Sequence, residues 1–413
     1  MAVGGGMARL SGGHLAAVVS VAEGLSVLGF STVPALLPTF LEDWNLSGTE
    51  AGWMTGVYFA GYMVAVPVLV SLTDRIDPRR IYLFGAMVSI LSSLGFALFV
   101  DGFWGALAFR ALGGVGLAGT YMPGLKALTD HVPERIRSRA VAFYTASLSI
   151  GFALSFLLSG EIAAVLDWRW AFGLVAIGPA IALVVFQVVV PPSEPHHLDA
   201  APGALLDFRP VLRNRAAMGY VLAYGVHSWE LFATRSWIVT FLVFSQGLQA
   251  PGALGIAWSA TALAALINVI ALPASVLGNE AAVKFGRRRV LTVVMGASAL
   301  VAAGAGFSAP LPFVLVVAVA LFYSVTVSAD SASLTAGAVE AASPGQRGAT
   351  MAVHSFIGFG GGFVGPLAFG VMLDLAGGRE SLLAWGLAFA SLGLVIALGP
   401  VFLAIFQRPP RTG

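Results

Sequence analysis

The sequence predicts an all-α integral membrane protein, with twelve transmembrane helices arranged as two pseudo-symmetric six-helix bundles. Of the 413 residues, 58% are hydrophobic and only 10% are charged, whereas soluble domains carry roughly 25% charged residues. The stretches Ser236–Asn279 and Val290–Ala329 contain no charged residue, and each is long enough for two crossings of about 20 residues. The absence of cysteine excludes a disulfide framework and a thiolate site.

Charged residues, prolines and glycines divide the apolar sequence into twelve segments. We expect helices over residues 14–40, 50–73, 79–100, 103–128, 138–165 and 170–190, and then over 216–246, 253–279, 288–308, 311–337, 349–374 and 382–406. Asp77-Pro78 marks one of the turns, and the two prolines within 309–312 mark another. The first segment is too long for a signal-peptide core and contains Glu23, so we expect it to be retained as a helix.

Pro191–Arg215 is the longest polar stretch of the chain and contains five prolines. It predicts a cytoplasmic linker between an N-terminal bundle (residues 1–190) and a C-terminal bundle (residues 216–413). If the N-terminus is cytoplasmic, 18 of the 22 Lys and Arg residues lie on the cytoplasmic side. Because such an excess sets membrane orientation, we expect both termini in the cytoplasm of a bacterial inner membrane.

The two halves of the chain also repeat. Ile76–Arg80 corresponds to Phe285–Arg289 at an offset of 209, and Arg137–Ala140 corresponds to Arg347–Thr350 at an offset of 210. Two halves related by a parallel repeat are typical of transporters whose halves rock around a site at the membrane midplane.

Two stretches resemble signatures of the major facilitator superfamily, in particular of its bacterial members. Ser71–Arg80 is similar to the family's loop between helices two and three, although Val70 and Asp77-Pro78 replace two of its glycines. Arg110–Gly116 is similar to the family's arginine-then-glycine motif on helix four. The resemblance covers nearly the whole chain and implies a rocking transporter in which Arg110 faces the cavity and assists proton movement.

The resemblance also implies a gate at the cytoplasmic side. Asp74 would dock near the positive N-terminus of the eleventh helix, and a network of arginines would close around it: Arg75, Arg79, Arg80 and Arg347. The alternative is a solvated loop charge that has no part in gating.

Ionisable residues within the helices are the candidates for substrate binding or proton coupling, because a charge at the bilayer centre costs at least about 2.5 kcal/mol. Glu23 and Arg110 lie on helices that both border the cavity in this family, so we expect them to meet; the alternative is a static packing pair. Further candidates are Tyr121 on helix four, His227 and Glu230 on helix seven, and Asp330 on helix ten.

Four other polar residues are given less specific roles. Arg235 has alternative roles: it is a buried cation that pairs with Glu230 or binds an anion, or it reaches the outer interface by snorkelling. We expect Lys126 to anchor a helix end among the cytoplasmic positive charges. We expect His354 to be a structural histidine near the cytoplasmic gate, and Glu161 to lie at the outer interface.

The leading functional hypothesis is secondary active, proton-coupled symport of a small organic anion, since buried arginines favour carboxylate or phosphate partners. One alternative is a proton-coupled exporter of hydrophobic or cationic compounds. A second, of another class, is a non-transporting scaffold or receptor on the same fold. We expect no catalytic residues, cofactor, metal or nucleic acid; the expected partners are the solute, protons and the lipid bilayer, with the monomer as the functional unit.

Overall fold

The computed structural model describes residues 11–193, 208–249 and 258–406, and these contain helices, turns and bends but no strand. Eight helices form the first half: α1 (Gly12–Ser26), α2 (Thr32–Asp43), α3 (Gly48–Leu72), α4 (Pro78–Phe99), α5 (Phe103–His131), α6 (Glu134–Val165), α7 (Trp168–Val175) and α8 (Ile177–Val189).

Nine α-helices form the second half. They are α9 (Arg209–Arg213), α10 (Arg215–Gly247), α11 (Ala260–Phe285), α12 (Arg287–Ala305), α13 (Phe313–Ser328), α14 (Ser331–Glu340), α15 (Arg347–Leu375), α16 (Leu382–Ile396) and α17 (Leu398–Phe406), with a 3₁₀ turn at Gly306–Ser308.

The all-helical membrane fold is confirmed, since every predicted segment overlaps one or two of these helices. Within the described ranges, nine helices are long and apolar enough to cross a membrane. The count of twelve crossings and the boundaries of the two bundles stay predictions. Residues 194–207 of the predicted linker lie outside the described residues, and the short helix α9 lies in its remaining part.

Polar residues fix where several helices begin. Ser47 and Glu50 form a capping box at the start of α3, and Asp77 precedes Pro78 and accepts the Arg79 N–H at the start of α4. Such side chains satisfy backbone N–H groups that have no partner within the helix. Five further helices begin in the same way, after Ser11, Asp167, Asn214, Ser259 and Ser381.

Four of the predicted segments are each divided into two helices. Two of these interruptions occur at corresponding places in the two halves of the chain. The sixth and the last segments are interrupted at a single residue, Ala176 and Ala397. Each is followed by a Gly-Pro pair, in Ile177-Gly178-Pro179 and in Leu398-Gly399-Pro400. Proline has no N–H for the carbonyl four residues earlier, so the same local sequence interrupts the last segment of both halves.

The interruption between α1 and α2 is also followed by a proline, Pro34, three residues after Ser31, but it is longer and is bonded by side chains of another helix. There the Ser31 N–H donates to the Ser155 hydroxyl at 2.9 Å, and the Ser155 hydroxyl donates to the Leu28 carbonyl. The Ser31 hydroxyl donates to the Phe152 carbonyl at 3.1 Å. Side chains and carbonyls of α6 therefore replace the helical hydrogen bonds that the break removes.

The helix bundle has two ends. We call the end with the connections 73–77, 132–133, 286 and 341–346 the basic face, since most of the arginines lie there, and we call the other end the opposite face. Three helix pairs join the halves: α3 with α15, α6 with α11, and α2 with α10. The candidate site lies between and beside these pairs.

Candidate functional site

The halves are held together by hydrogen bonds at the opposite face. There the carboxylate of Asp374, in the last turn of α15, accepts the N–H groups of Gly48 and Thr49, each at 2.7 Å, and the Thr49 hydroxyl at 2.6 Å. Gly48 and Thr49 are the first residues of α3. An anion at this position interacts favourably with the helix dipole as well as with the free N–H groups.

Glycines let the backbones of α3 and α15 come close along this contact. A Cβ atom at Gly48 would lie 2.6 Å from the Gly370 carbonyl, and a Cβ atom at Gly52 would lie 2.7 Å from the Pro366 carbonyl. A Cβ atom at Gly56 would lie 2.5 Å from the Phe363 carbonyl. Small residues at four-residue spacing are a common way to pack membrane helices, and here they close the opposite face.

Aromatic side chains from both halves meet at mid-depth. The ring of Phe59 lies 4.3 Å from that of Phe232, and the ring of Tyr62 lies 4.0 Å from that of Phe359. From this level towards the basic face, the described residues other than Arg209 form no hydrogen bond, ion pair or ring contact between the halves. The structure is therefore closed at the opposite face and held together less tightly at the basic face.

A buried acid–histidine contact lies in the second half. Nδ1 of His227, on α10, is 2.7 Å from Oδ1 of Asp330, and both side chains are almost fully inaccessible. Asp330 directly follows the interruption between α13 and α14, where it is the residue before the first turn of α14. The sequence analysis named both residues separately, and the structure brings them together.

Glu230 lies on the same helix, one turn beyond His227. Its Oε1 accepts the hydroxyls of Ser298 and Tyr323, each at 2.9 Å, while Oε2 has no hydrogen bond within the described residues. The side chain is fully buried. A carboxyl group with one bonded and one free oxygen in an enclosed site is suited to take up and release a proton.

Tyr224 extends this cluster towards helix α15. Its ring stacks 3.8 Å from the ring of His354 and lies 5.4 Å from that of His227. Nε2 of His354 is 3.3 Å from the Thr335 hydroxyl, which fits the structural role expected for this histidine.

Glu23 and Arg110 do not form a pair. The Glu23 carboxyl is fully buried in α1, and neither oxygen has a hydrogen bond in the described chain. The hydroxyls of Ser26, Tyr82 and Tyr144 surround it. Glu23 is thus a carboxyl group in a polar but unbonded setting, separate from the second-half cluster.

Arg110 instead holds backbone carbonyls at the break between α1 and α2. Its guanidinium donates to the carbonyls of Phe30 (3.2 Å), Gly29 (3.4 Å) and Met54 (3.4 Å), and Cζ lies 4.5 Å from the Tyr58 ring centre. The expectation that it meets Glu23 fails because these carbonyls take its donors. Arg110 lines a small cavity of about 20 Å³ with several serines, room for about one water molecule.

One alternative placed Arg235 at the outer interface, but it lies inside the protein. Its Cζ is 5.7 Å from the ring centre of Phe152 in the first half and 5.8 Å from that of Phe232 in the second. Within the described residues it forms no ion pair and no hydrogen bond. It also lines a cavity of about 20 Å³ with the side chains of Thr234, Asn268, Ser324 and Ser328. The position of this half-buried guanidinium between the halves excludes the interfacial alternative for Arg235.

The predicted gating residues lie apart from one another. The Asp74 side chain has no hydrogen bond or ion pair among the described residues, and Arg79 donates to the Gln187 carbonyl on its own half. Arg75, Arg80 and Arg347 are exposed at the basic face. The predicted Asp74 latch is therefore not formed in this conformation, and its role stays a prediction.

The remaining candidates have modest contacts. The ring of Tyr121 is half-buried and stacks on Tyr144 at 6.1 Å. Lys126 pairs with Asp130 at 3.3 Å near the end of α5, as expected of an anchoring residue. Glu161 accepts the Ser259 hydroxyl at 3.1 Å near the opposite face. Across residues 11–193, 208–249 and 258–406, no three His, Asp or Glu side chains converge as they would to hold a metal ion.

Known proteins share both the sequence pattern and the fold. The chain is 30% identical over 156 residues to a probable sphingolipid transporter, spinster homolog 2, of Arabidopsis thaliana (38% of this chain and 31% of that one). It is 25% identical over 179 residues to the niacin transporter NiaP of Acinetobacter baylyi (43% of this chain and 40% of that one). The aligned regions thus span less than half of the length of these relatives.

A solved structure resembles the whole fold. The crystal structure of a bacterial homolog of the human lysosomal transporter Spinster, inward-facing and unoccupied, superposes with a TM-score of 0.73 at 16% identity and covers 96% of this chain and 95% of that one. Residues 19–280, more than half of the sequence, match the Major Facilitator Superfamily. The named relatives are transporters rather than enzymes, and the chain belongs to the Major Facilitator Superfamily.

Proposed function

We propose that the protein is a secondary active transporter that moves a small organic anion together with protons by alternating access. The observation that carries the proposal is the uncompensated guanidinium of Arg235 between the two halves, in the same half as the buried acids Glu230 and Asp330.

Arg235 supports the choice of an anion. A cation in the protein interior is costly unless it is paired, and the described residues supply no carboxylate to this half-buried guanidinium. The neighbouring cavity of about 20 Å³ is lined by Thr234, Asn268, Ser324 and Ser328 together with apolar side chains. It has room for about one water molecule, so a carboxylate or phosphate would bind the guanidinium in a conformation in which this cavity is wider. The aromatic rings of Phe152 and Phe232 would contact an apolar part of the same solute.

The acids of the second half support proton coupling. Intramembrane ionisable residues mark proton or ion pathways because each is expensive to bury. The His227–Asp330 contact and the free oxygen of Glu230 together give three titratable groups within this half. No carboxylate of the described residues pairs with Arg235, so protonation of these acids would not change a direct partner of the guanidinium. It would act on the solute site through helix α10, which carries His227, Glu230 and Arg235.

The relatives are compatible with this substrate class. One is named for niacin, a small aromatic carboxylic acid, and another is named as a probable sphingolipid transporter. We extend the orientation predicted from the arginines to the proposal: the basic face and both termini lie in the cytoplasm, in a bacterial inner membrane. The single chain, as a monomer, would hold the complete site.

A second candidate is a proton-coupled exporter of hydrophobic or cationic compounds. The aromatic set at mid-depth, with Phe59, Phe232 and Phe359, favours a flat apolar solute. The unbonded carboxyl group of Glu23 is the matching acidic group in the first half.

A flux assay in proteoliposomes with a trapped pH-sensitive dye tests both candidates. Pools of organic anions, neutral metabolites and organic cations would be added outside. We expect acidification of the lumen with an anion pool, and loss of the response in Arg235→Gln. Arg169→Gln is the matched control, because Arg169 donates to the Ala97 carbonyl near the opposite face, away from the site.

The outcomes separate the candidates. Alkalinisation with a cation pool would support the exporter and contradict the leading proposal. An anion response that survives in Arg235→Gln would remove Arg235 from the site. No response to any pool, together with no uptake of labelled solutes, would favour a scaffold or receptor.

A further inference from the structure

We propose that Asp374 is a second latch, and that it and Asp74 hold opposite ends of the same helix pair in turn. A latch here means a carboxylate of one half that binds the N-terminus of a helix in the other half. The inference rests on the proposed alternating access, but not on the identity of the solute.

The first part of the argument is the latch that is formed. Asp374, near the end of α15, accepts three hydrogen bonds from the first two residues of α3, at 2.6 to 2.7 Å. The capping box of α3 uses Ser47 and Glu50, so it leaves the Gly48 and Thr49 N–H groups for the second half. A carboxylate is the favoured ligand for such free N–H groups.

The second part of the argument is that the corresponding contact at the basic face is not formed. Helices α3 and α15 pack side by side and run in opposite directions, so the end of α3 lies at the face where α15 begins. Asp74 follows the end of α3 by two residues. Its carboxylate has no hydrogen bond or ion pair in the described chain, and the first turn of α15 has no side-chain cap. Donor groups and acceptor are thus both free at this end.

Both latches cannot be closed together in a protein whose halves rock. When the halves approach at the basic face, they separate at the opposite face, and Asp374 loses the N-terminus of α3. Asp74 then gains the N-terminus of α15. Because one carboxylate contact replaces another of the same kind, the two end states stay close in free energy, as a reversible cycle requires.

The test measures the distance between the halves at both faces by pulsed electron spin resonance. The chain has no cysteine, so single spin-label pairs can be placed without background. Exposed positions are available in both halves: Glu42 and Glu380 at the opposite face, and Ser138 and Glu280 at the basic face.

We expect Asp374→Ala to raise the ratio of protein open at the opposite face to protein closed there by about fivefold or more, and Asp74→Ala to lower it. The double variant should return near the wild-type ratio. Asp167→Ala is the matched control: Asp167 accepts the Trp170 N–H at 3.0 Å near the same face, but within one half. It should leave both distance distributions unchanged.

Two results would overturn the proposal. One is an unchanged ratio in Asp374→Ala, with the labelled protein folded as judged by its gel-filtration profile. The other is a shift in the same direction for Asp374→Ala and Asp74→Ala. A wild-type protein that exchanges between two distances, with neither variant changing the ratio, would refute the latches but leave alternating access intact.

Discussion

Nδ1 of His227 and Oδ1 of Asp330 lie 2.7 Å apart in the interior of the second half, although 102 residues separate them in the sequence. The interruption between α13 and α14 places Asp330 where it can face α10. Neither atom forms a well-directed hydrogen bond within the described residues, so the contact is a close approach of two ionisable groups in a buried site.

Asp330→Asn should reduce proton-driven uptake by about tenfold or more, because about 1.4 kcal/mol corresponds to a factor of ten. The amide keeps the size of the side chain but cannot be ionised, so the change acts on the charge. The measurement is the initial rate of dye acidification in proteoliposomes. Asp167→Asn, at a helix start outside the site, should keep the wild-type rate. A wild-type rate in Asp330→Asn would show that this pair is structural.

Glu230→Gln should abolish proton movement while leaving the fold intact. The amide oxygen of Gln can still accept the hydroxyls of Ser298 and Tyr323, which Glu230 Oε1 accepts at 2.9 Å. The variant therefore keeps the packing and loses only the titratable proton. Proton release is measured with the trapped dye, and folding by the thermal unfolding midpoint in detergent. Coupled proton flux in the variant would exclude Glu230 as a proton carrier.

Gly52→Val should prevent closure at the opposite face. The Cβ atom alone would lie 2.7 Å from the Pro366 carbonyl and 2.8 Å from the Leu367 Cα atom, both backbone atoms. Overpacking typically costs about 1–3 kcal/mol, so the open conformation should gain about tenfold or more. Access of a water-soluble maleimide to a single cysteine at Ala51, a fully buried residue of α3 next to Gly52, would report the opening.

The control for this change is Gly296→Val on α12. A Cβ atom there meets no other atom within 4 Å, so the maleimide rate should match that of the parent. Equal rates in Gly52→Val and the parent would show that α3 and α15 separate without the glycine contact.

Ser155→Ala should destabilise the fold by about 1–3 kcal/mol, the cost of leaving buried backbone groups without partners. Its hydroxyl serves both the Ser31 N–H and the Leu28 carbonyl at the break between α1 and α2. The measurement is the unfolding midpoint in detergent. Ser147→Ala is the control, since that hydroxyl bonds only the Tyr144 carbonyl three residues back on its own helix. A midpoint equal to that of the control would mean that water replaces Ser155.

Hydropathy predicted the helices well because lipid demands long apolar segments, and a polar backbone within lipid must form its own hydrogen bonds. It did not predict the break between α1 and α2, because the hydrogen bonds that stabilise it come from Ser155 of another helix, although Pro34 follows the break as a local signal. The breaks at Ala176 and Ala397 were visible in principle: the same Gly-Pro pair follows both alanines.

The candidate residues could be predicted from the sequence because a charged side chain within the membrane is costly in free energy. The partners of these residues could not be predicted in this way. Glu23 and Arg110 were expected to meet because their helices are neighbours, yet the exposed carbonyls of the α1–α2 break bind the arginine first. The interfacial alternative for Arg235 arose because a long side chain can snorkel. Its rotation on α10, which directs it between the halves, depends on packing that sequence spacing does not report.

The uncompensated charge of Arg235 also has an electrical consequence. Moving one elementary charge across a membrane changes its free energy by about 2.3 kcal/mol for each 100 mV of potential. A bound anion cancels the charge of the guanidinium, so the loaded protein would change conformation with little charge movement from this residue. In the empty protein the positive charge of Arg235 would be offset only by those acids, Glu230 and Asp330, that have released their protons. The membrane potential would thus act on the return of the empty protein according to how many of these acids are ionised.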